Sequence, residues 1–375
     1  MDTVYMNNAA TSWPKAPEVG QVVCQRLAAV PHHAGRAGFS AVDVTGDCRQ
    51  LLAKLFAIPD SNQIVLCANA TYALNIALHG FPWKEGATVI TTTAEHNSVL
   101  RPLHYLRKHR NIKVEFIPVD QQGRMMPERW LAAIRKFEPQ LAIFTHASNV
   151  TGAINDAEVL GNLARQAGVA TLLDASQTAG FVDVLPETWG IDMAVFTGHK
   201  YLLGPPGTGG LYVSPAIRLE PVWVGGTGVQ SDLAEMPEAM PTRFEAGTPN
   251  DPALGGLAHA LAWQQEFPCN KSAVLQQLER LAAGLLEAGV SIIDVSAPRT
   301  PVLSFTARDW ELEEIGEILQ KSFGIICRTG LHCAPIVHQQ IGTAPQGSIR
   351  LSISRFTTAA EIDYCIAAIK LIIEV

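Results

Sequence analysis

Short runs of apolar residues alternate with longer amphipathic segments between about residues 60 and 215. Each run is short enough for a buried strand, and the segments between the runs are long enough for helices. Seven runs have this character: QIVLCA, TVITTT, KVEFIPV, LAIFTHAS, ATLLDAS, MAVFTG and GGLYVS. Strands that alternate with helices form βαβ units, so the pattern predicts an α/β fold with a mostly parallel sheet of the seven-stranded type.

The pattern changes after residue 220. Residues 220–254 are rich in glycine and proline and predict a long irregular connection, which in a compact enzyme is usually functional. Helices are then predicted at 253–267, 271–289, 310–323 and 359–373, and strands at 291–296, 301–306 and 348–354. We therefore predict a large domain, 15–255, and a smaller α+β C-terminal domain, 256–375, which also contains residues 1–14.

Composition and charge narrow the class of protein. The 375 residues, of which 47% are hydrophobic and 17% charged, are typical of a globular protein with a large core. The net charge of −7 and the lack of a Lys/Arg run argue against a nucleic acid or an anionic membrane as partner. The N-terminal residues do not resemble an export signal, and no apolar stretch approaches membrane-spanning length. We therefore expect a cytoplasmic protein that acts on small molecules.

The cysteines point to one candidate nucleophile. There are seven, an odd number without C-x-x-C spacing, which argues against a disulfide framework and against a structural zinc site, and we predict no metal. Cys67 and Cys365 lie in apolar runs and are expected to be buried. Cys333 differs because it lies in CRTGLHCAP, whose composition is typical of a loop.

Lys200 is the first candidate for covalent chemistry. It follows the apolar run MAVFTGH and precedes a turn rich in glycine and proline. A lysine is most often a surface residue, but these flanks predict partial burial. Burial lowers the pKa of a lysine and makes the neutral amine available, which a Schiff-base lysine requires. The neighbouring Thr197 and His199 could donate hydrogen bonds to a phosphate.

Further polar side chains stand at the predicted carboxyl ends of strands, where open α/β sheets bind ligands. They are Thr71, His96, Asn149, Asp174 and Gln177. Asp174 could cap a following helix, or it could pair with the protonated nitrogen of a pyridine ring. His96 could be structural, stack on an aromatic cofactor or shuttle a proton. Ala70 and Thr71 open a predicted helix whose N-terminus could bind a phosphate.

Eight segments, in this order along nearly the whole chain, resemble class V, fold-type I enzymes that use pyridoxal 5'-phosphate (PLP). They are YMNNAATSWPKAP, TAEHNSVLRP, HASNVTGAIN, LLDASQTAG, TGHKYLLGPPGTGGLYV, RFEAGTPN, RTGLHCAP and IRLSISRFTT. The resemblance is strongest to the cysteine desulfurase and selenocysteine lyase branch, and RTGLHCAP is similar to group II desulfurases. It implies the fold of a fold-type I PLP transferase and a homodimer with shared active sites.

The resemblance also implies a role for each candidate residue. The catalytic residues would be Lys200 as the Schiff-base residue, Cys333 as the sulfur acceptor and His96 stacked on the cofactor. The contacts to PLP would come from Ala70, Thr71, His96, Asp174, Gln177, Thr197, His199, Lys200 and, from a second subunit, Thr248. Asn149 and Arg350 would hold the substrate carboxylate, and Arg328 would assist or order the Cys333 loop.

Two features depart from the family pattern. Asn7 stands where members usually have an aspartate, and Cys327 is a second thiol near Cys333. We favour Cys333 because its distance from Arg328 fits the pattern. The resemblance thus implies a desulfurase that converts L-cysteine to L-alanine and passes the sulfur from Cys333 to an acceptor protein. The alternatives are a lyase for L-selenocysteine, another class V lyase or aminotransferase, and a catalytically silent sulfur-carrier scaffold.

Overall fold

The structure is a computed structural model that describes residues 3–30, 43–293 and 296–374. Its strands are β1 (Val4–Tyr5), β2 (Ile64–Cys67), β3 (Thr88–Thr92), β4 (Lys113–Ile117), β5 (Leu141–Thr145), β6 (Ala170–Asp174), β7 (Met193–Thr197), β8 (Gly209–Val213), β9 (Ser291–Ile292), β10 (Val302–Thr306), β11 (Ile325–Ile326), β12 (Arg328–Gly330) and β13 (Ser348–Ser352). Its α-helices are α1 (Val19–Ala28), α2 (Val44–Leu55), α3 (Ala70–Gly80), α4 (Asn97–His109), α5 (Pro127–Phe137), α6 (Ala157–Gln166), α7 (Asp251–Glu266), α8 (Lys271–Glu287), α9 (Leu312–Phe323), α10 (Pro335–Gln340) and α11 (Ala359–Ile373).

The largest sheet has seven strands in the order β2-β8-β7-β6-β5-β3-β4. Five of these strands are parallel to their neighbours, whereas β8 runs antiparallel to both β2 and β7. Each strand coincides with one of the seven apolar runs. The prediction of an α/β fold with a mostly parallel seven-stranded sheet is therefore confirmed.

Helices cover both faces of this sheet, which explains why its strands are apolar at nearly every position. Successive residues of β5 show the alternation. Ala142 and Phe144 pack into a core with α5 and α6, whereas Leu141 and Ile143 pack into a second core with α3 and α4. Because both faces are buried, the polar groups of the site are confined to the strand ends.

The C-terminal part of the chain has its own sheet and core. Strands β12, β13, β10 and β9 form a four-stranded antiparallel sheet, and β1 pairs in parallel with β11. Met6, from the start of the chain, is fully buried in the same core as Leu281, Ile315 and Ile369. The strand expected at 291–296 is observed only as β9, and Asp294 and Val295 lie outside the described residues.

The domain limits at 255/256 remain a prediction. Helix α7 crosses this position and packs against α1 and α2. The segment 220–250 is irregular apart from a short 3₁₀ helix, Thr242–Phe244. Within residues 3–30, 43–293 and 296–374, no helix is both long and apolar enough to cross a membrane. The same ranges hold no group of three or more His, Cys, Asp or Glu side chains arranged for a metal ion.

Candidate active site

A cavity of about 470 Å³ opens at the carboxyl ends of β5, β6 and β7. It is lined by nearly all of the predicted site residues: Ala70, Thr71, His96, Asn149, Asp174, Gln177, Thr197, His199, Lys200, Arg328 and Arg350. Cys333 and Thr248 do not line it; they belong to two neighbouring cavities of about 840 and 790 Å³. The volume suits a small-molecule ligand.

Lys200 follows β7 and is partly buried, as its flanks predicted. Burial lowers the pKa of its amine from 10.5 to about 8. Within this shift, the carboxylate of Asp174 acts against burial, and the guanidinium of Arg350 acts in the same direction as burial. A fraction of the amine is therefore neutral near pH 7, which makes Lys200 available as a nucleophile or a base.

Asp174 is the last residue of β6 and is buried. No helix follows it within residues 175–192, all of which are described, so the alternative role of a helix cap is wrong. Its Oδ1 instead accepts a hydrogen bond from the backbone N–H of Ser176, at 2.9 Å, in a turn. The turn holds the carboxylate at the cavity wall, where it can face a cation.

His96 has a structural role and lines the cavity as well. It is the N-cap of α4, where its Nδ1 accepts from the N–H of Ser98 at 3.1 Å. Burial and, after it, the neighbouring charge of Lys200 lower the pKa of the ring to about 4. The imidazole is consequently neutral at physiological pH. Ser98, which the sequence analysis missed, also bonds to Thr71 Oγ1 at 2.8 Å and so joins α4 to α3.

The N-terminus of α3 forms another part of the wall. Asn69 caps this helix by accepting from the N–H of Tyr72, at 3.1 Å, which leaves the N–H groups of Ala70 and Thr71 without intrahelical partners. Such N–H groups, together with the helix dipole, favour an anion. Thr197 and His199 line the same cavity. Burial lowers the pKa of His199 to about 4, so this ring is also neutral.

Arg350 and Arg328 stand opposite each other on the antiparallel strands β13 and β12. Arg350 is 1% exposed, and its Nη1 and Nη2 donate to the oxygens of two asparagines, Asn149 O at 2.8 Å and Asn7 Oδ1 at 3.2 Å. Among the residues that the structure describes, none is a hydrogen-bond partner of its Nε, and no carboxylate forms an ion pair with it. A buried cation with neutral partners favours an anionic ligand.

Cys333 lies on a turn that leaves β12. His332 and Cys333 both have positive φ, 50° and 59°, a conformation that costs a non-glycine residue about 1–3 kcal/mol. Neighbouring elements hold the turn: Asn149 Nδ2 donates to His332 O at 2.8 Å, and Asn97 N donates to Cys333 O at 2.7 Å. Arg328 Nη2 donates to Cys333 Sγ at 3.1 Å. Arg328 thus connects the thiol to the cavity that contains Lys200.

Two further titratable residues near the site were not identified from the sequence. Glu95 is fully buried, and its Oε1 accepts from the N–H of Thr145 at 3.0 Å. Burial, with a smaller contribution from the charge of Asp174, raises the pKa of Glu95 to about 8, so its carboxyl is largely protonated at neutral pH. Lys15 Nζ donates to His199 O at 2.8 Å, next to Lys200. Burial lowers the pKa of Lys15 to about 8.

Comparison with protein families matches residues 4–365 to the family described as Aminotransferase class-V. The chain belongs to this family. A probable cysteine desulfurase of Methanothermobacter thermautotrophicus is 31% identical, over 96% of the chain and 92% of that protein. One of Pyrococcus abyssi is 27% identical, over 96% and 92%. The apo structure of cysteine desulfurase from Thermococcus onnurineus NA1 has a TM-score of 0.90 and 26% identity, covering 99% of this chain and 95% of that one. The family and the fold type predicted from the sequence are confirmed.

Class-V aminotransferases use PLP, and the donor set of the 470 Å³ cavity fits this cofactor. Two of its buried lining oxygens, Ser176 Oγ and Gln177 Oε1, have no hydrogen-bond partner among the described residues, as expected for atoms that meet a polar ligand. The carboxylate of Asp174 suits a pyridinium nitrogen, and the amine of Lys200 suits an aldehyde. The N–H groups that begin α3 suit a phosphate.

Proposed function

We propose that the protein is a PLP-dependent cysteine desulfurase that converts L-cysteine to L-alanine and receives the sulfur on Cys333. The observation that carries this proposal is the contact of Arg328 with Cys333 Sγ, since Arg328 also lines the cavity of Lys200 and Arg350. A thiol in contact with an arginine that lines the cavity of the amine suits desulfuration, whereas a plain aminotransferase does not need a thiol. The relatives named as cysteine desulfurases support the same activity.

The residues of the cavity can be divided by role. Lys200 would hold the cofactor covalently, and His96 would stack on its ring. Asp174 would pair with the ring nitrogen, and Gln177 would contact the ring hydroxyl. Its phosphate would contact the residues that line the α3 side of the cavity, Ala70, Thr71, Thr197 and His199. When bound, PLP supplies an electron sink for negative charge at the Cα of an amino acid. Arg350 and Asn149 would hold the substrate carboxylate.

Lys200 and Cys333 would then carry out the two remaining steps. The neutral amine of Lys200 accepts the α-proton of the substrate. The Cys333 thiolate attacks the substrate sulfur, so that an S–S bond forms while the Cβ–S bond breaks and its electron pair stays with the carbon skeleton. Protonation of that carbon gives alanine. The reaction balances as cysteine plus the Cys333 thiol giving alanine plus the Cys333 persulfide.

Burial of the second candidate thiol supports the choice of Cys333. Cys327 packs against the C-terminal core, and burial raises its pKa to about 11. The thiolate is the nucleophilic form, so Cys327 is poorly suited to attack sulfur at neutral pH.

All seven cysteines are free. Free thiols are typical of a reducing compartment, which supports a cytoplasmic enzyme.

The test is an assay of the purified, PLP-loaded protein with L-cysteine and, separately, with L-selenocysteine. We expect alanine release from cysteine, and a persulfide on Cys333 after a single turnover. Lys200→Ala should lose both the activity and the visible absorbance of lysine-bound PLP. Cys333→Ser should keep that absorbance and lose desulfuration, whereas Cys327→Ser should keep both. Selenium leaves carbon more readily, so Cys333→Ser should retain part of its activity with selenocysteine.

Fragmentation of the modified peptide has to separate Cys327 from Cys333, because Arg328 is the only tryptic cleavage site between them. A persulfide on Cys327, or cysteine desulfuration by Cys333→Ser at the wild-type rate, would show that the nucleophile is misassigned. Preference for selenocysteine in direct competition would instead favour a selenocysteine lyase.

A further inference from the structure

A groove leads away from Cys333 between two helices. It has a volume of about 840 Å³, and Thr71, His96 and Ser98 line both this groove and the cavity of Lys200. Cys333 lies on the groove and not on that cavity. A sulfur atom carried by Cys333 can therefore be approached from the groove side without passing the substrate.

Two walls of the groove are regular helix faces, and Val222 and Trp223 from the irregular connection also line it. Thr71, Asn75 and His79 follow each other at intervals of four residues on α3, and Arg101, Tyr105 and His109 do the same on α4. Residues four apart lie on one face of a helix. Arg110, directly after α4, completes the wall. The α3 face from residue 71 to residue 79 extends over about 12 Å at about 1.5 Å per residue.

The groove is positively charged in a protein whose net charge is −7. None of its lining residues is an aspartate or a glutamate. Residues 97–110 contain Arg101, Arg107, Lys108 and Arg110 and no acidic residue. Arg101 and Arg110 are exposed and form no ion pair with any residue that the structure describes. These charges are therefore free to attract a partner of opposite sign.

From this arrangement we propose that the groove between α3 and α4 docks an acidic polypeptide segment whose thiol takes the sulfur from Cys333. This inference rests on the proposed desulfurase function. An extended chain rises by about 3.3 Å per residue, so about four residues fit along the α3 face. A half-exposed tyrosine, Tyr105, offers the segment an apolar contact between the two arginines; its ring centroid lies 4.3 Å from that of His109, and the two rings are tilted by 36°.

The transfer is a thiol–disulfide type of exchange. The acceptor thiolate attacks the outer sulfur of the Cys333 persulfide, a new S–S bond forms, and the old S–S bond breaks. The Cys333 thiolate leaves with the electron pair. No external oxidant or reductant is needed, and Cys333 is ready for the next cysteine.

The experiment uses three synthetic pentapeptides as acceptors: acidic EDCDE, its uncharged isostere QNCNQ and basic KRCRK. The PLP-loaded enzyme is first converted to the persulfide with one equivalent of cysteine, and the alanine released is measured. The rate constant for sulfur transfer to each peptide is then determined by mass spectrometry and normalised to its thiolate fraction. We expect EDCDE to react about tenfold faster than QNCNQ, and KRCRK more slowly, with the differences shrinking at high salt.

The double variant Arg101→Glu/Arg110→Glu should remove or reverse this order while its alanine burst and its KM for cysteine stay unchanged. Arg101→Lys/Arg110→Lys should keep the order. The control is Arg129→Glu/Arg135→Glu, which makes the same change in charge on α5 at exposed residues that do not line the groove. This control should also keep the order.

Equal rates for EDCDE and QNCNQ with wild-type enzyme, or an unchanged order in Arg101→Glu/Arg110→Glu, would overturn the docking proposal. Inhibition by a short polyuridylate that exceeds inhibition by a cysteine-free acidic peptide of equal charge would also overturn it, in favour of RNA. The absence of an alanine burst from wild-type enzyme is a different result, because it would reject the desulfurase function itself.

Discussion

The residue at position 7 determines whether the buried guanidinium of Arg350 has a carboxylate as a neighbour. The hydrogen-bond partners of Arg350 are neutral oxygens of Asn149 and Asn7, and it faces a second arginine, Arg328, across the strand pair. Burial and, after it, the charge of Arg328 lower its pKa to about 10. Enzymes of the family that this sequence resembles usually have an aspartate at position 7. An aspartate there would give the guanidinium of Arg350 a counter-ion within the protein. Here its charge remains available for a substrate carboxylate.

We therefore predict that Asn7→Asp raises the KM for cysteine about tenfold or more, with a smaller change in kcat. The new carboxylate would compete with the substrate for Arg350 and repel it, and a tenfold change corresponds to about 1.4 kcal/mol. Steady-state alanine formation measures both constants, and the visible absorbance of the bound cofactor should not change. Asn75→Asp is the control, because it makes the same change of amide to carboxylate outside the cavity of Arg350. Asn75 lines the groove between α3 and α4, where its Nδ2 donates to Thr71 O at 2.8 Å. A similar rise in KM for both variants would contradict the role given to Asn7.

Residues that lie in short, distinctive motifs could be identified from the sequence. Lys200 and Cys333 could be found because few structural reasons explain their neighbours. Glu95 and Lys15 could not, since their pKa values depend on burial beneath strands and loops distant in sequence. The effect of Asn7 was also hidden, because its contact with Arg350 spans 343 positions. Only the fold brings such groups together.

At the scale of elements, the antiparallel pairing of β12 with β13 controls where Cys333 lies. Gly347 has a φ of 90°, and a Cβ atom there would clash with the backbone of Gly330, the last residue of β12. Three residues after Gly330 the chain reaches Cys333. The sequence predicted the strand at 348–354 and a loop around Cys333, but β12 is short and lacks an apolar run, so it gave no periodic signal.

We predict that Gly347→Ala destabilises the protein by about 3 kcal/mol and slows sulfur transfer to Cys333, while bound PLP keeps its absorbance. Gly342→Ala is the matched control: its φ is 76°, but a Cβ there meets no atom within 4 Å. It should cost only the backbone strain, about 1 kcal/mol. Thermal unfolding and single-turnover persulfide formation measure the two effects. Equal effects of the two variants would show that the close approach of the strands does not position the thiol.

At the scale of the whole molecule, the position of Thr248 bears on how the active site is completed. Within one chain it is exposed and lines a different cavity from Lys200, although the family pattern assigns it to the cofactor phosphate. The connection that carries it also exposes Val224, Val229 and Leu233, which are 73%, 53% and 50% exposed. Exposed apolar side chains that cluster along one segment are typical of an interaction surface. Both observations favour a homodimer in which Thr248 completes the site of the second subunit.

A dimer with shared sites predicts a specific result for mixed subunits. Lys200→Ala and Thr248→Glu should each be inactive, the second because its carboxylate repels a phosphate. Coexpressed with two different affinity tags and purified as heterodimers, they should regain about half of the wild-type activity, since one site then has both Lys200 and Thr248 intact. The informative control is a chain carrying both changes, paired with a wild-type chain. If Thr248 acts across the interface, neither site of that pair is intact and the pair is inactive. If Thr248 serves its own chain, that pair keeps half of the activity and the first pair stays inactive, which would contradict the shared site.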